Sequence, residues 1–444
     1  MKFINSIKLA VKLPVIMIAL SVMTITIATY VSYKRASASL LVEAEDMLQT
    51  VSEARSLELQ SWFNGIDIDL RSQASNPTVL SAIRGFDQAW RSINGDATEH
   101  LHKWYIDDNP NPDGEKQALD LAEDGSSYSQ VHKLYHPYFR KLVEEKGYYD
   151  VFVFDPSGDL IYSVVKERDF ATNFLEGPFA DTGLGRAVAH ALNAETPGIF
   201  FSDFQNYEPS NGAPVSFVSS PVVDRSGEIR GVIAFQLPAN RLDSVMQRST
   251  GLGETGDAYI VGEDHLLRSD PRLGDGNDVL VVSVTTQSAE NALNGQSGLL
   301  REVEVHEETG FSHEHLAAYV PVEYHGVKMG LIVEQSIEEI LTPAKELGAT
   351  MLWQGAVMIA VVGVISLLIS RAVSRPLTNV ESAMRSVSEG DYNVVIPETD
   401  RGDEIGGIAA TLDDFRDALG RAEHATRDAL FKGSAFEGSS AALM

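Results

Sequence analysis

Leu13 to Tyr33 reads LPVIMIALSVMTITIATYVSY, 21 residues without a charge between Lys12 and Lys34. As a helix such a run covers roughly 30 Å, the thickness of a bilayer's hydrocarbon core. A second run, LGATMLWQGAVMIAVVGVISLLIS from Leu347 to Ser370, holds 24 uncharged residues between Glu346 and Arg371. Together they predict a chain that crosses a membrane twice. A cleavable signal peptide is the competing reading of the first run, with Ala36-Ser37-Ala38 as its small-residue cleavage site. The run exceeds the roughly 7 to 15 apolar residues of a signal core, and helical sequence continues directly past it, which favours an uncleaved anchor.

Two spans put both ends of the chain on one side. Lys2, Lys8 and Lys12 precede the first span and Arg371 and Arg375 follow the second, so the positive-inside rule makes that side the cytoplasm. The expected layout is a cytoplasmic N-terminus at 1–12, a first span at 13–33, an extracytoplasmic region at 34–348, a second span at 349–370 and cytoplasmic sequence beyond. Residues 33–348 carry 24 Lys or Arg against 50 Asp or Glu, nearly all of the chain's net charge of −28. This reads as a solvated acidic surface, with a cationic ligand or Ca²⁺ as the alternative, and it disfavours nucleic acid as a partner. No cysteine is present, so disulfides and thiol chemistry are excluded.

Between the spans the pattern changes from helix to strand. From Ser37 to Trp90 only Pro77 interrupts, and Leu41, Leu48, Val51 and Leu57 recur near helical spacing, predicting a long helix leaving the membrane. After the breaker Asn109-Pro110-Asn111-Pro112-Asp113-Gly114 another helix is expected up to Glu145. Val151–Phe154 and Leu160–Val165 flank the turn Asp155-Pro156-Ser157-Gly158 as a hairpin. Ile199–Phe204, Pro214–Val223 and Glu228–Leu237 follow, the last two joined by Asp224-Arg225-Ser226-Gly227. With a helix near Leu184–Leu192 these five strands form one antiparallel α+β module.

The same layout returns about 100 residues on, as an internal repeat. Ala258–Val261, Glu263-Asp264 and Leu266–Ser269 echo the first hairpin. Ser220-Pro221-Val222 with Gly227 and Gly231 is echoed by Val320-Pro321-Val322 with Gly326 and Gly330. In each copy the last strand runs into a helix, at Asn240–Met246 and from Ile337 toward the second span.

Past Arg371, Leu377, Val380, Met384 and Val387 recur at 3, 4 and 3 residues, and Ile405, Ile408, Leu412, Phe415 and Leu419 at 3, 4, 3 and 4. Two short helices are predicted, with Pro376 in the first turn of one, Gly390 ending it, and Val394 and Ile396 in an extended connector. One stripe per helix buries too little alone, so dimerisation into a parallel four-helix bundle is expected.

Arg375-Pro376-Leu377, Gly390-Asp391 and Asp403-Glu404-Ile405-Gly406 together resemble a HAMP relay domain over 371–423. Tyr148-Tyr149-Asp150-Val151-Phe152, Lys166-Glu167-Arg168-Asp169-Phe170-Ala171-Thr172-Asn173 and Gly253-Glu254-Thr255-Gly256-Asp257-Ala258-Tyr259 resemble the double Cache sensor region of bacterial methyl-accepting chemotaxis receptors. The resemblance implies a multidomain membrane protein. Two tandem PAS-like modules, distal at about 149–245 and proximal at about 250–345, sit on a long N-terminal helix, followed by a HAMP coiled coil. It implies a non-enzymatic, homodimeric receptor in the bacterial inner membrane, its periplasmic sensor binding a small molecule. The signal would pass to a chemotaxis kinase and coupling protein through an output module. No methylatable helical hairpin is seen, so the input half of a sensor histidine kinase or diguanylate cyclase stays open. Phe431–Met444 resembles the opening of a further PAS-type domain after a linker, within 424–444.

By the same resemblance the distal module holds the ligand, which makes Tyr138, Arg140, Tyr149, Asp169, Asn173, Asp203 and Tyr207 the candidate binding residues, and Pro376, Gly390, Glu404 and Gly406 the relay residues. An arginine there could clamp a carboxylate and Asp203 could accept from an amine. Arg140 is followed by Lys141-Leu142 and lacks the adjacent aromatic pair of amino-acid-sensing members, so the ligand class stays open. His132 with His136, and His313 with His315 flanking Glu314 in an expected hairpin loop, are the metal leads. Neither pair has a third ligand at a telling distance, and no metal, cofactor or catalytic residue is expected.

Overall fold

The computed structural model describes residues 9–305 and 312–440, and the chain divides into two compact units, 1–38 with 343–444, and 39–342. Lys2 and Lys8 lie outside the described residues, as do 441–444. Helix α1 (Leu9–Ala74) opens the chain, α2 (Pro77–Arg91) follows, then α3 (Ala97–His102), a π-helical turn at Lys103–Asp107 and α4 (Ser127–Lys146). The helix expected from Ser37 to Trp90 is thus two. Asn76 caps α2 by accepting from the Thr78 backbone N–H at 2.8 Å, and Pro77 takes the first helical position, where its missing N–H is not needed. Gly147, at φ 75°, ends α4.

The distal module is a five-stranded antiparallel sheet in the order β2-β1-β5-β4-β3: β1 Asp150–Phe154, β2 Leu160–Ser163, β3 Phe200–Tyr207, β4 Ala213–Val223 and β5 Ile229–Pro238. Both predicted turns form. The Asp155 carboxylate accepts from the Ser157 and Asp159 N–H groups, and Asp224 from Ser226 and Glu228. Alternation along the strands separates two cores. Val151, Val153, Ile161, Val218, Ile233 and Phe235 belong to the core that includes residues of α1, α2 and α4. Phe152, Phe154, Val215, Phe217 and Ala234 face the other way, with α5 (Gly183–Leu192), which Thr182 caps through the Gly185 N–H.

After α6 (Asn240–Met246) the proximal module repeats the order as β6-β9-β8-β7, with β6 Asp257–Gly262, β7 Gly298–Val305, β8 Ser312–Tyr324 and β9 Val327–Ser336. Helix α7 (Gln287–Leu293), capped by Thr286, stands where α5 stands in the distal module. The repeat therefore holds, with one strand fewer. Leu266–Ser269 makes only isolated bridges, Leu267 to Val261 and Leu266 to Ser283. The segment still returns along β6, its Arg268 N–H donating to the Ile260 carbonyl at 2.7 Å and the Gly262 N–H to the Leu266 carbonyl at 3.0 Å, and the Arg268 side chain is almost fully buried.

The other unit contains the two apolar runs and the relay. Helix α8 (Ile337–Ser388) is continuous through the second run and into the predicted relay, and α9 (Glu404–Ser440) follows. Both α1 and α8 are long and apolar enough to cross a membrane. Pro376 consequently lies inside α8, not in the first turn of a separate helix, and the Ala372 carbonyl loses its helical donor there. Gly390, at φ 97°, follows the end of α8. Val380, Ala383 and Val387 of α8, Ile396 of the connector and Ala409 and Leu412 of α9 form a small core. Residues 424–440, expected to be a linker and the start of another domain, continue α9.

Candidate functional site

One buried polar cluster stands out in the distal module, gathered at the β1–β2 end of the sheet beneath residues 163–172. Lys166 and Ala171 both adopt the left-handed region, φ 65° and 62°, which non-glycine residues seldom do. The segment is fastened on its outer side. His102 bonds the Phe170 carbonyl, Thr98 donates to the Ala171 carbonyl, and Arg168 pairs with Asp107 at 2.6 Å. The π-helical turn that carries Asp107 also buries Tyr105, and such turns recur at functional sites.

Asp150, fully buried at the start of β1, accepts four hydrogen bonds. The Val151, Val164 and Val165 N–H groups donate to Oδ1 at 2.6, 2.8 and 3.2 Å, and the Ser163 hydroxyl donates to Oδ2 at 2.6 Å. Burial pushes its carboxyl up and these donors pull it down. Burial lowers Lys166 and the Asp150 charge raises it. The Lys166 ammonium donates to the Ser163 and Val164 carbonyls at 2.6 and 3.1 Å and lies 4.9 Å from the centre of the Tyr162 ring.

Around this pair runs a chain of hydrogen bonds. Gln236 Nε2 donates to Ser210 Oγ at 2.9 Å, Ser210 Oγ to Glu167 Oε2 at 2.6 Å, and Tyr149 OH to Glu167 Oε1 at 2.6 Å. Tyr207 OH donates to Asp169 Oδ2 at 2.6 Å. Burial raises Glu167 and pushes Asp169 up to about 8, the Tyr207 bond opposing and the neighbouring Glu167 and Asp150 charges adding to the rise. Asp169 Oδ1 and Gln236 Oε1 are buried and have no partner. Buried polar atoms left bare in a native protein call for an explanation, and a bound molecule is one.

Three of the seven candidate residues, Tyr149, Asp169 and Tyr207, join this cluster. Tyr138 does not: its hydroxyl donates to Gln73 at 2.5 Å and accepts from Asn76 at 2.8 Å, fixing α4 to the break between α1 and α2. Arg140 holds the Gln117 carbonyl and the Asp120 carboxylate at 3.1 and 2.7 Å. Asn173 shapes a turn, donating to Ser157 and Asp159 and accepting from the Leu175 and Glu176 N–H groups. Asp203 on β3 takes the Arg268 guanidinium through both oxygens, at 2.7 to 3.1 Å, and so links the distal module to the proximal one. Asp150, Lys166, Ser163, Ser210, Gln236 and Glu167 were not singled out. Asp150 lay within the Tyr148–Phe152 motif, and Lys166 and Glu167 within the Lys166–Asn173 motif.

The histidine leads resolve differently. His132 and His136 stack 4.3 Å apart inside the helical core, and burial holds both far below the ordinary imidazole range. His136 donates from Nε2 to the Gln117 carbonyl at 2.7 Å and accepts from Tyr162 OH at 2.6 Å. His313 and His315 lie on β8 rather than in a hairpin loop. Among the described residues no group of three or more His, Asp or Glu side chains is placed to hold a metal.

In the relay, Asp403 caps α9 by accepting from the Gly406 N–H at 3.1 Å, and the Arg401 guanidinium at 2.6 Å holds its carboxyl down at about 2. A side chain at Gly406 would collide with the Arg401 carbonyl, so the motif requires glycine there. Glu404 begins the helix.

Duplicated α+β modules, two helices fit to cross a membrane and a helical relay define a transmembrane sensor. Residues 36–344 match the family model of the Cache domain, and residues 368–421 match that of the HAMP domain. The chain belongs to the Cache domain family and carries a HAMP domain. It is 21% identical over 286 residues to a protein of Sinorhizobium fredii described as a probable chemoreceptor, covering 63% of this chain and 34% of that one. The chain thus spans about a third of that relative's length. Similar solved structures include the periplasmic sensory domain of the Campylobacter jejuni chemoreceptor Tlp1, at 11% identity and TM-score 0.42, covering 68% of this chain and 99% of that one. Another is the ligand-binding domain of the Pseudomonas fluorescens chemoreceptor CtaA in complex with L-serine, at 12% identity and TM-score 0.38, covering 66% and 97%.

Proposed function

We propose that the chain is the sensing and relay portion of a methyl-accepting chemoreceptor of the bacterial inner membrane. Its distal module faces the periplasm and binds a small polar molecule. Asp169 Oδ1 and Gln236 Oε1, both buried and both bare, carry the reading. Tyr207 and Ser210 orient these two side chains, and a ligand hydroxyl, or an ammonium whose charge returns the Asp169 carboxyl to its ionised form, would complete their hydrogen bonding. Arg140, Tyr138, Asn173 and Asp203 then shape and brace the module rather than touch the ligand. The chain acts as a homodimer and signals without catalysis, through α8 and the relay, to a chemotaxis kinase and its coupling protein.

The test is a thermal-shift screen of the chain in lipid nanodiscs against small amines, polyols and hydroxy acids. A ligand raises the melting temperature by mass action. The expected result is a hit whose shift disappears in Asp169→Ala and survives in Arg140→Gln. A hit that survives Asp169→Ala moves the binding site elsewhere and refutes the assignment.

A further inference from the structure

Helices α1 and α8 lie close along their apolar runs. Glycines 348, 355 and 363 of α8 face Tyr33, Ile25 and Ile18 of α1, and small residues let membrane helices approach in this way. Ser370 Oγ donates to the Ala10 carbonyl at 2.6 Å and closes the contact. A cavity of about 370 Å³ opens at this level, lined by Ala10, Leu367, Arg371, Arg375, Thr378 and Asn379 among others. Its size falls in the range of roughly 300 to 1,000 Å³ that small-ligand sites occupy.

The two ends of the groove differ in chemistry. Leu367 belongs to the apolar run, whereas Arg371 is the first charge after 24 uncharged residues, and Arg375 follows one turn later on the same face. Both arginines are exposed, and neither has an ion pair or hydrogen bond among the described residues. The neighbouring polar groups are already used. Thr378 Oγ1 donates to the Ser374 carbonyl and Asn379 Nδ2 to the Glu398 carboxylate. Further along the relay, Arg401 and Arg416 are each held by a carboxylate at 2.6 Å. Two unpaired guanidinium forks at the edge of the hydrocarbon fit phosphate oxygens, and a basic pocket between membrane helices at this depth matches a lipid headgroup.

We propose that this groove binds the phosphate headgroup of an anionic membrane lipid, with Arg371 and Arg375 on the phosphate and Leu367 and Ala10 against the start of the acyl chains. The site rests on the reading of α1 and α8 as membrane spans. A bound lipid bridges the end of the span and the residue before Pro376, so membrane composition acts on the segment the signal must cross.

The experiment uses the chain in mixed micelles of phosphatidylglycerol and phosphatidylcholine, with retained lipid counted by native mass spectrometry, beside flotation with liposomes. The chain is expected to float and to retain phosphatidylglycerol preferentially. Arg371→Gln and Arg375→Gln should each lower that retention roughly fivefold, while Arg385→Gln, an exposed site outside the groove, leaves it unchanged. Equal retention in wild type and variants overturns the site. So does an equal loss in Arg385→Gln, or displacement of the lipid by soluble glycerol phosphate at equal concentration, which would mark a free-anion site. A chain that does not float overturns the membrane reading and the site with it; floating without lipid preference overturns the site alone.

Discussion

Asp169 carries one hydrogen bond, from Tyr207, and one bare oxygen, in surroundings that exclude water. Its carboxyl is pushed up to about 8, so the folded state keeps a proton that the unfolded chain releases near pH 4. A raised carboxyl contributes stability that is fully present below the unfolded value and is lost as pH rises through the folded one, here between about pH 4 and pH 8. Asp169→Asn removes the titration and keeps an acceptor for the Tyr207 hydroxyl. Its melting temperature should therefore gain on wild type as pH is raised from about 5 to 8, and parallel curves would show that Asp169 does not titrate in that window. Gly406 makes a steric prediction. A methyl there meets the Arg401 carbonyl, so Gly406→Ala should cost the relay about 1 to 3 kcal/mol, read as early loss of relay helicity on heating. These two residues also mark what the sequence could reveal. Gly406 was legible because its neighbours form a motif of fixed spacing. Asp150, the most heavily hydrogen-bonded carboxylate of the cluster, lay within the Tyr148–Phe152 motif, but its role as an acceptor was not legible, because a single acid ahead of Val151-Phe152-Val153-Phe154 reads as the polar edge of a strand. Its donors, Val164 and Val165, arrive from beyond the next strand.

Strand β3 joins the candidate site to the rest of the sensor, since it carries Tyr207 at one end and Asp203 four residues earlier. Tyr207 bonds the site; Asp203 grips Arg268 of the proximal module, whose guanidinium passes where a side chain at Gly262 would stand. Asp203→Ala leaves that buried cation with Asp264 and the Leu266 carbonyl only. Because Asp203 is itself partly exposed, the loss should be about 3 kcal/mol, at the lower end for broken buried pairs. Asp203→Ala with Arg268→Ala should cost less than the sum of the two single changes, as a double-mutant cycle on melting temperature would show; additive losses would mean the pair is not coupled. Elements with local signals were legible from the sequence: the Asp-initiated turns of both distal hairpins, and the ends of α4 and α5. Leu266–Ser269 was legible in part. It returns antiparallel to β6, the Gly262 N–H donating to the Leu266 carbonyl at 3.0 Å and the Arg268 N–H to the Ile260 carbonyl at 2.7 Å, but it makes only isolated bridges. The grip of its Arg268 side chain on Asp203, 65 residues away, has no local signal. The break at Asn76-Pro77 was visible as a proline, yet its position is secured by Tyr138 on a helix about 60 residues later.

At the scale of the whole molecule the relay is half a structure. Val380 and Val387 of α8 meet Leu412 of α9 inside one chain, whereas Leu377 and Met384, seven residues apart on α8, and Ile408 and Phe415, seven apart on α9, stay 44% to 57% exposed. Each helix therefore buries alternate positions of its 3-4 repeat internally and presents the others at heptad spacing, the pattern that a second copy would cover in a four-helix bundle. The absence of native cysteine makes this directly measurable, because any disulfide must come from an introduced residue. Met384→Cys should give a disulfide-linked dimer on mild oxidation in membranes, while Ser382→Cys, exposed but on the other side of α8, should not. Adding Phe415→Asp to Met384→Cys puts a charge into the proposed seam and should abolish the cross-link. If Met384→Cys and Ser382→Cys cross-link equally, the contact is random collision, and the heptad face of the relay must be covered by something other than a second copy of the chain.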